Sequence, residues 1–250
     1  MPICEHCNLN CKGCGAFSPL VKECFIDVAE YEKDCSRLSL LCGGTVEYID
    51  LLGGEPLLHP EITKILDITR KYFNGQINII TNGIKLLSMT EEFWSGCKKN
   101  NIAIVISGYP IRLDYKIINR TACMHDVALE IRGFGNKLTI WNKFPIDLDG
   151  GQKPFRNFLS CFSSNFCLHL EHGKIGTCAQ PFVIRHFNAH FNKNMTVSEE
   201  NFIDIYKVSN LDEILSFLSR PIPFCKYCNL KKIKRGIKWD ISKKEISEWV

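Results

Sequence analysis

Four cysteines stand within eleven residues near the beginning of the chain, in the sequence CEHCNLNCKGC at positions 4–14. Cys7, Cys11 and Cys14 are separated by three and then by two residues. Thiolates this close together on one loop can each bind a different iron of a [4Fe–4S] cluster. Three such ligands leave the fourth iron without a protein ligand, and an open coordination position on a metal is where chemistry can take place.

Cys4 decides whether this site is open or closed. As a fourth ligand it would give a closed electron-transfer cluster or a structural zinc site. We expect that Cys4 is not a ligand, because it lies in PICEH, where the first strand is predicted to end. Zinc ligands usually come as two pairs that are further apart along the chain than these four cysteines. A closed electron-transfer cluster and a structural zinc site nevertheless remain alternatives.

The sequence Gly-Gly-Glu-Pro follows a predicted strand at positions 53–56. Glycines allow the backbone to come close to a ligand. Backbone carbonyls and the Glu55 carboxylate can accept hydrogen bonds from an ammonium group. Taken alone, the same four residues also fit a plain turn before a helix.

Together, the spacing Cys-x₃-Cys-x₂-Cys and the Gly-Gly-Glu sequence after the second strand resemble the radical S-adenosylmethionine (radical SAM) superfamily. The resemblance implies that the amino and carboxylate groups of SAM bind the open iron of a [4Fe–4S] cluster. It further implies that an electron from the reduced cluster cleaves the sulfonium, and that the resulting 5′-deoxyadenosyl radical abstracts a hydrogen atom from the substrate. An electron donor such as flavodoxin or ferredoxin is implied as a partner. The implied cofactor-binding residues of this turn are Gly53, Gly54, Glu55 and Pro56.

The elements that must position these residues alternate between strands and helices. Strands are predicted at 46–52, 77–81, 102–107 and 127–131, and helices at 27–41, 59–73, 88–100 and 114–124. Capping-box spacings begin the first and third of these helices, with Asp27 and Glu30 in one and Ser88 and Glu91 in the other. Such alternation is typical of βαβ units with a parallel sheet.

The family fold implied by the resemblance is a partial (β/α)₆ barrel of the TIM type. In such barrels the site lies at the carboxyl ends of the strands. This places four further residues near the cofactor, Thr81, Asn82, Ser107 and Arg132. Thr81 and Asn82 also fit a turn that merely ends a strand.

Two positions depart from the family pattern. Gly13 stands just before the third cysteine, where many members of the family carry an aromatic residue. Phe17 is the expected substitute for part of that packing. Six residues precede Cys7, so the first barrel strand is expected to be short.

A second set of cysteines lies in the last third of the chain. Cys161, Cys178, Cys225 and Cys228, with Gly173 between the first two, resemble the SPASM/Twitch extensions of radical SAM enzymes. The resemblance implies that they hold an auxiliary [4Fe–4S] cluster, which can accept an electron from a substrate radical. Gly173 is predicted to turn a hairpin over 165–178, and helices are predicted from Asn210 to about Arg220 and from Ser242. Two alternatives stay open here, Cys167 in place of Cys161 and a zinc ribbon.

Composition points to the cytoplasm. The chain has 250 residues and 14 cysteines. It shows no signal-peptide pattern, so we expect a cytosolic protein whose cysteines bind metal. It has no apolar stretch of about 18 residues, so no transmembrane helix is expected. The net charge of +4 is concentrated in residues 225–250, with eight basic and three acidic residues. A basic segment without aromatic interleaving predicts a solvated face rather than a nucleic-acid site.

We therefore expect a partial barrel over 1–150 and a small auxiliary-cluster extension over 151–250. The predicted activity is SAM cleavage and hydrogen-atom abstraction that oxidises or rearranges a small polar substrate such as a sugar or a cyclitol. One alternative is modification of a ribosomal peptide, and another is a non-catalytic iron–sulfur electron carrier or zinc scaffold. The sequence identifies no catalytic residue.

Overall fold

The computed structural model describes residues 1–133, 140–143 and 145–250. The chain forms two compact units, Met1–Asn8 with Cys24–Thr139 and Leu9–Glu23 with Ile140–Val250. The predicted boundary at residue 150 lies further along the chain than this division. No sequence pattern indicated that Leu9–Glu23 joins the second unit.

The first unit contains a parallel sheet. Its strands, in spatial order, are β1 (Pro2–Cys4), β2 (Tyr48–Gly53), β3 (Gln76–Thr81), β4 (Ile102–Ser107) and β5 (Leu129–Arg132). Every neighbouring pair is parallel. Within the described residues this sheet has five strands, one fewer than a complete (β/α)₆ arrangement.

Helices connect these strands, as the sequence predicts. They are α1 (Val28–Cys42), α2 (Ile62–Tyr72), α3 (Glu91–Lys99) and α4 (Tyr115–Met124). Asp27 caps α1 by accepting a hydrogen bond from the Glu30 amide at 2.9 Å. The predicted cap of α3 is wrong, because Ser88 ends a 3₁₀ turn and Thr90 is the capping residue.

The core of the first unit follows the two-residue period of its strands. Ile77, Ile79, Ile104 and Ile106 are all fully buried. Burial of an isoleucine side chain contributes about 1.5–3 kcal/mol to the free energy of unfolding. The isoleucine-rich strands therefore fix the sheet and hold its carboxyl edge in place.

The second unit has antiparallel strands and further helices. Its strands are β6 (Ile140–Lys143), β7 (His169–Glu171), β8 (Lys174–Gly176), β9 (Ile203–Asp204) and β10 (Lys234–Lys238). Strand β6 pairs with β10, and β8 lies between β7 and β9. Its helices are α5 (Pro154–Ser160), α6 (Ser163–Phe166), α7 (Gln180–Phe191) and α8 (Leu211–Leu218).

The predicted hairpin is confirmed, and its turn has a simple cause. His172 and Gly173 have φ of 51° and 69°. Positive φ at both central residues is the requirement of a type I′ turn, and glycine meets it without steric cost. Helix α8 is also confirmed, with the Asn210 side chain accepting from the Glu213 amide at 3.1 Å.

The helix predicted from Ser242 is wrong. Lys244 has φ of 59°, which interrupts a right-handed helix, and only a 3₁₀ turn forms over Ile246–Glu248. Helix α7 was not predicted from the sequence. None of the helices in the described part of the chain combines the length and apolar character needed to cross a membrane.

Candidate functional site

The residues predicted near a cofactor lie at one edge of the parallel sheet. Cys4, Gly53, Thr81, Ser107 and Arg132 are the last residues of β1 to β5 in that order. The register pairs Cys4 with Gly53 and Ser107 with Arg132. In barrels built from parallel strands, this carboxyl edge is where active sites lie.

The two glycines of 53–56 are required by the backbone that leads into the cysteine loop. A Cβ on Gly53, which has φ of +140°, would lie 2.0 Å from the carbonyl oxygen of Cys4. A Cβ on Gly54 would lie 2.0 Å from the carbonyl oxygen of His6. The Gly54 amide donates to the Cys4 carbonyl at 2.6 Å, and the Glu55 amide to the His6 carbonyl at 3.0 Å. The close approach that we expected for a ligand is thus made here by the protein's own chain.

The carboxylate of Glu55 is buried and has three hydrogen-bond donors. Its Oε1 accepts from the Thr81 hydroxyl at 2.6 Å and from the Leu57 amide at 3.1 Å. Its Oε2 accepts from the Asn82 amide at 2.8 Å. Burial raises the pKa of this carboxyl, while these three hydrogen bonds act in the opposite direction. The geometry therefore favours a positioning role for Glu55 over the direct contact with the SAM ammonium group that the sequence suggested.

Asn82 connects this network to the first cysteine of the motif. Its Nδ2 donates to Asn8 Oδ1 at 2.7 Å and lies 3.7 Å from Cys7 Sγ. Its Oδ1 accepts from the Ile84 amide at 2.9 Å, which fixes the side-chain orientation. Asn8 was missed by the sequence analysis, although its place directly after Cys7 was a usable signal. Hydrogen bonds to cysteine sulfur are one means by which proteins adjust an iron–sulfur cluster.

Cys4 differs from the other three cysteines of the run in its surroundings. It is 1% exposed, and its thiol donates to the His6 carbonyl at 3.2 Å. Burial raises the pKa of the Cys4 thiol to about 12. Cys4 is thus packed in the core at the end of β1, and that it is not a ligand stays a prediction.

Arg132 has a partner on its own strand. Its Nε donates to Glu130 Oε1 at 2.9 Å, and this hydrogen bond raises the pKa of the guanidinium. Ser107 is half-buried at the end of β4. The cofactor-binding roles of Ser107 and Arg132 stay predictions.

Cys11 and Cys14 belong to the second unit. Cys11 is buried and forms an antiparallel bridge with Ile241. The carbonyl of Cys14 accepts from the indole Nε1 of Trp249 at 2.8 Å and from the Phe17 amide at 3.0 Å. The Phe17 ring lies 5.5 Å from that of Phe187, measured between centroids. These contacts attach the cysteine loop to the core of this unit.

The four cysteines of the second set come from three places in the second unit. Cys161 follows α5, Cys178 follows β8, and Cys225 and Cys228 flank the end of a 3₁₀ helix over Pro223–Tyr227. Asn157 on α5 joins two of these places. Its Nδ2 donates to the carbonyls of Cys225 at 2.8 Å and Cys228 at 2.5 Å. No sequence pattern pointed to this side chain.

The thiols of this set influence one another. Burial raises the pKa of Cys178 to about 12, and the thiols of Cys225, Cys161 and Cys167 add to that rise. Burial likewise raises the pKa values of Cys225 and Cys228, and Cys161 contributes to both. Cys161 thus acts on all three of the other thiols, and the choice between Cys161 and Cys167 as the fourth member stays a prediction.

The spacing of these groups does not match a single metal ion. Over residues 1–133, 140–143 and 145–250, no three Cys, His, Asp or Glu side chains are grouped closely enough to bind one ion. The ligands of a [4Fe–4S] cluster each bind a different iron, so their sulfurs lie further apart than those around one ion. The residues present are chemically suited to such clusters, because each set supplies at least three thiols.

Comparisons with known proteins identify one family model and similar solved structures. The family model described as "Radical SAM superfamily" matches residues 1–108. The fold is similar to the crystal structure of BtrN in complex with AdoMet and 2-DOIA, at 17% identity and a TM-score of 0.54, over 100% of this chain and 96% of that one. A second similar structure is BtrN in an open conformation, at 18% identity and a TM-score of 0.48, over 91% of this chain and 89% of that one. A search of curated proteins found no match.

Proposed function

We propose that the chain is a member of the radical SAM superfamily, whose family model matches residues 1–108, and that Cys7, Cys11 and Cys14 hold its [4Fe–4S] cluster. With SAM bound, such a cluster supplies a 5′-deoxyadenosyl radical that abstracts a hydrogen atom from the substrate. The observation that carries the proposal is the linkage from Glu55 through Asn82 to Cys7 at the carboxyl edge of the sheet. The protein's part is to bind and orient the cofactor and to exclude water.

Within this linkage each residue has a separate task. Glu55 holds the turn that contains Thr81 and Asn82, because its carboxylate binds a hydroxyl from one and an amide from the other. Asn82 in turn places an N–H group beside the sulfur of Cys7. Gly53 and Gly54 allow the chain that leads to Cys7 to pass close to the end of β2. Backbone carbonyls of this turn are proposed acceptors for the SAM ammonium group.

The second unit is proposed to hold an auxiliary [4Fe–4S] cluster on Cys161, Cys178, Cys225 and Cys228. The mutual influence of these thiols and the Asn157 brace support this assignment. A fully ligated cluster cannot bind substrate at iron, but it can take an electron from a substrate radical. That role suits an oxidation in which hydrogen-atom abstraction precedes electron loss.

The proposed substrate is a small polar molecule such as a sugar or a cyclitol, which the enzyme oxidises or rearranges. AdoMet is named as a ligand of BtrN, whose fold this chain shares, and this agrees with SAM as the cofactor. We place the enzyme in the cytoplasm, where cysteines stay reduced and a flavodoxin or ferredoxin can supply electrons.

Anaerobic reconstitution with iron and sulfide tests the proposal. Two [4Fe–4S] clusters correspond to about eight irons per chain. The triple variant Cys7→Ala, Cys11→Ala, Cys14→Ala should keep about four and should lose reductive formation of 5′-deoxyadenosine. Cys123→Ala, which removes an exposed cysteine at the end of α4, is the matched control. Stoichiometric zinc without iron in the wild type, or SAM cleavage by the triple variant, would overturn the proposal.

A further inference from the structure

Residues 240–249 lie against the cysteine loop Leu9–Glu23 within the second unit. The Lys12 amide donates to the Asp240 carbonyl at 2.9 Å, and the Ser242 amide donates to the Asn10 carbonyl at 2.8 Å. Between these two hydrogen bonds, Cys11 and Ile241 form an antiparallel bridge. The backbone on both sides of Cys11 is therefore paired with a segment more than two hundred residues further along the chain.

Glu248 holds the loop at the position before the third cysteine. Its side chain is buried, and its Oε2 accepts from the Gly13 amide at 3.3 Å and from the Ser242 hydroxyl at 2.6 Å. Its Oε1 accepts from the Lys243 amide at 2.7 Å. One carboxylate therefore fixes both the loop and the turn that precedes Glu248 itself.

Gly13 fits this arrangement in two ways. It has φ of +65°, and a Cβ at this position would lie 2.9 Å from the carbonyl oxygen of Glu248. A larger residue at position 13 would displace the Glu248 backbone or lose the positive φ. The absence of an aromatic residue at Gly13 thus has a structural reason, because residue 248 takes the adjoining space.

Trp249 provides a second attachment. It is 3% exposed, and its Nε1 donates to the carbonyl of Cys14 at 2.8 Å. Its ring centroid lies 5.9 Å from that of Phe17 and 5.8 Å from that of Phe191. Aromatic pairs at such distances contribute beyond the burial of their surface, so the indole joins the Cys14 backbone to a packed cluster of rings.

We propose that Glu248 and Trp249 are positioning residues that hold the backbone of Gly13 and Cys14 in place before the cofactor cluster binds. The inference rests on the proposed function, since it assigns Cys11 and Cys14 to that cluster. A site that is formed in advance binds its metal group more tightly than one that must be ordered on binding. Loosening this attachment should weaken retention of the first cluster.

Limited proteolysis of the apo-protein tests the attachment itself. Trypsin cleaves after Lys12, and the amide of the next residue, Gly13, is the one that Glu248 binds. Trp249→Phe keeps a ring and removes the N–H donor, so cleavage after Lys12 should become about fivefold faster. Glu248→Gln removes a charged acceptor and should accelerate it about tenfold. Rates are compared with cleavage after the exposed Lys207, which reports general loosening of the same unit.

The holoprotein gives the second measurement. Release of iron from the SAM-responsive cluster to a chelator should be about fivefold faster in Trp249→Phe, and the electron paramagnetic resonance lines of that cluster should broaden. Trp94→Phe, which changes a buried tryptophan of α3, and Glu213→Gln, at the start of α8, are the controls. They should leave both measurements unchanged.

The outcomes separate this inference from the proposed function. The positioning role alone would be overturned if the wild type cleaves SAM and one of two results is found. One is that cleavage after Lys12 is unchanged in the variants, and the other is that iron release and the spectrum are unchanged in both variants. A wild type that binds no iron and cleaves no SAM would overturn the proposed function, and the positioning role with it.

Discussion

The Thr81 hydroxyl donates a hydrogen bond to Glu55 Oε1 at 2.6 Å, and the Glu55 side chain is fully buried. This hydrogen bond joins the ends of β2 and β3. Glu55 therefore has a task in the protein that does not depend on a bound cofactor.

Glu55→Ala should destabilise the apo-protein as well as weaken SAM binding. Without the carboxylate, the Thr81 hydroxyl and the amides of Leu57 and Asn82 lose their acceptor, and an unsatisfied buried donor costs about 1–3 kcal/mol. Chemical denaturation of the apo-protein should show a loss of about 3 kcal/mol in the free energy of unfolding. Thr81→Val, which leaves the carboxylate in place, should lose about 1 kcal/mol. If apo stability is unaltered in both variants while SAM affinity falls, Glu55 acts on the cofactor directly.

Cys4→Ala should keep both clusters and SAM cleavage. The thiol is buried and hydrogen-bonded to the His6 carbonyl, so its removal affects packing and not ligation. Iron content and 5′-deoxyadenosine formation, measured beside Cys7→Ala, check this expectation. Loss of the first cluster in Cys4→Ala alone would mean a closed cluster and would contradict the enzyme proposal.

Glu171 in β7 provides a pH-dependent prediction. Its carboxylate binds Arg185 Nη2 and His169 Nε2, each at 2.8 Å. Burial opposes ionisation, but these two partners outweigh it and lower the pKa to about 2. A carboxyl whose pKa is lower in the folded state stabilises the protein above its unfolded pKa, near 4.3.

That contribution is fully present at neutral pH and is lost as the pH falls from about 4.3 towards 2. Glu171→Gln should therefore lower the free energy of unfolding at pH 7 and should remove this part of its pH dependence. Denaturation of the apo-protein at several pH values measures both effects. Parallel pH curves for the wild type and the variant would contradict the lowered pKa of Glu171.

Short sequence patterns correctly predicted the strands and turns that are determined by neighbouring residues in the sequence. The β-branched run 102–107 coincides with β4. The hairpin turns at His172 and Gly173, which both have positive φ. The alternation of strands and helices likewise indicated the parallel sheet, and the carboxyl ends of its strands followed from that topology.

Contacts between residues distant in sequence were not predictable in this way. Asn157 binds carbonyls 68 and 71 residues away. Glu248 and Gly13 are 235 residues apart, and nothing in either segment indicates the partner. The helix predicted from Ser242 failed for a related reason, because Glu248 accepts from the backbone of its own turn and stabilises a non-helical path.

The brace made by Asn157 should be sensitive to an isosteric change. Asn157→Asp replaces the Nδ2 donor with an acceptor, which then faces the carbonyls of Cys225 and Cys228. We expect the auxiliary cluster to be lost to a chelator about tenfold faster than in the wild type, because two hydrogen bonds are replaced by repulsion. Asn188→Asp, in α7 of the same unit, is the control for a general effect of the substitution. Equal release rates in the two variants would contradict the brace.

The last prediction concerns the task of the auxiliary cluster. Hydrogen-atom abstraction needs only the first cluster and SAM, whereas the proposed oxidation also needs an electron acceptor. The double variant Cys225→Ala, Cys228→Ala should therefore retain reductive SAM cleavage and lose the oxidised product. Circular dichroism and size-exclusion chromatography must first show a folded protein, since a cluster can also stabilise a small domain. A folded double variant that forms oxidised product at the wild-type rate would limit the auxiliary site to a structural role and would favour rearrangement over oxidation.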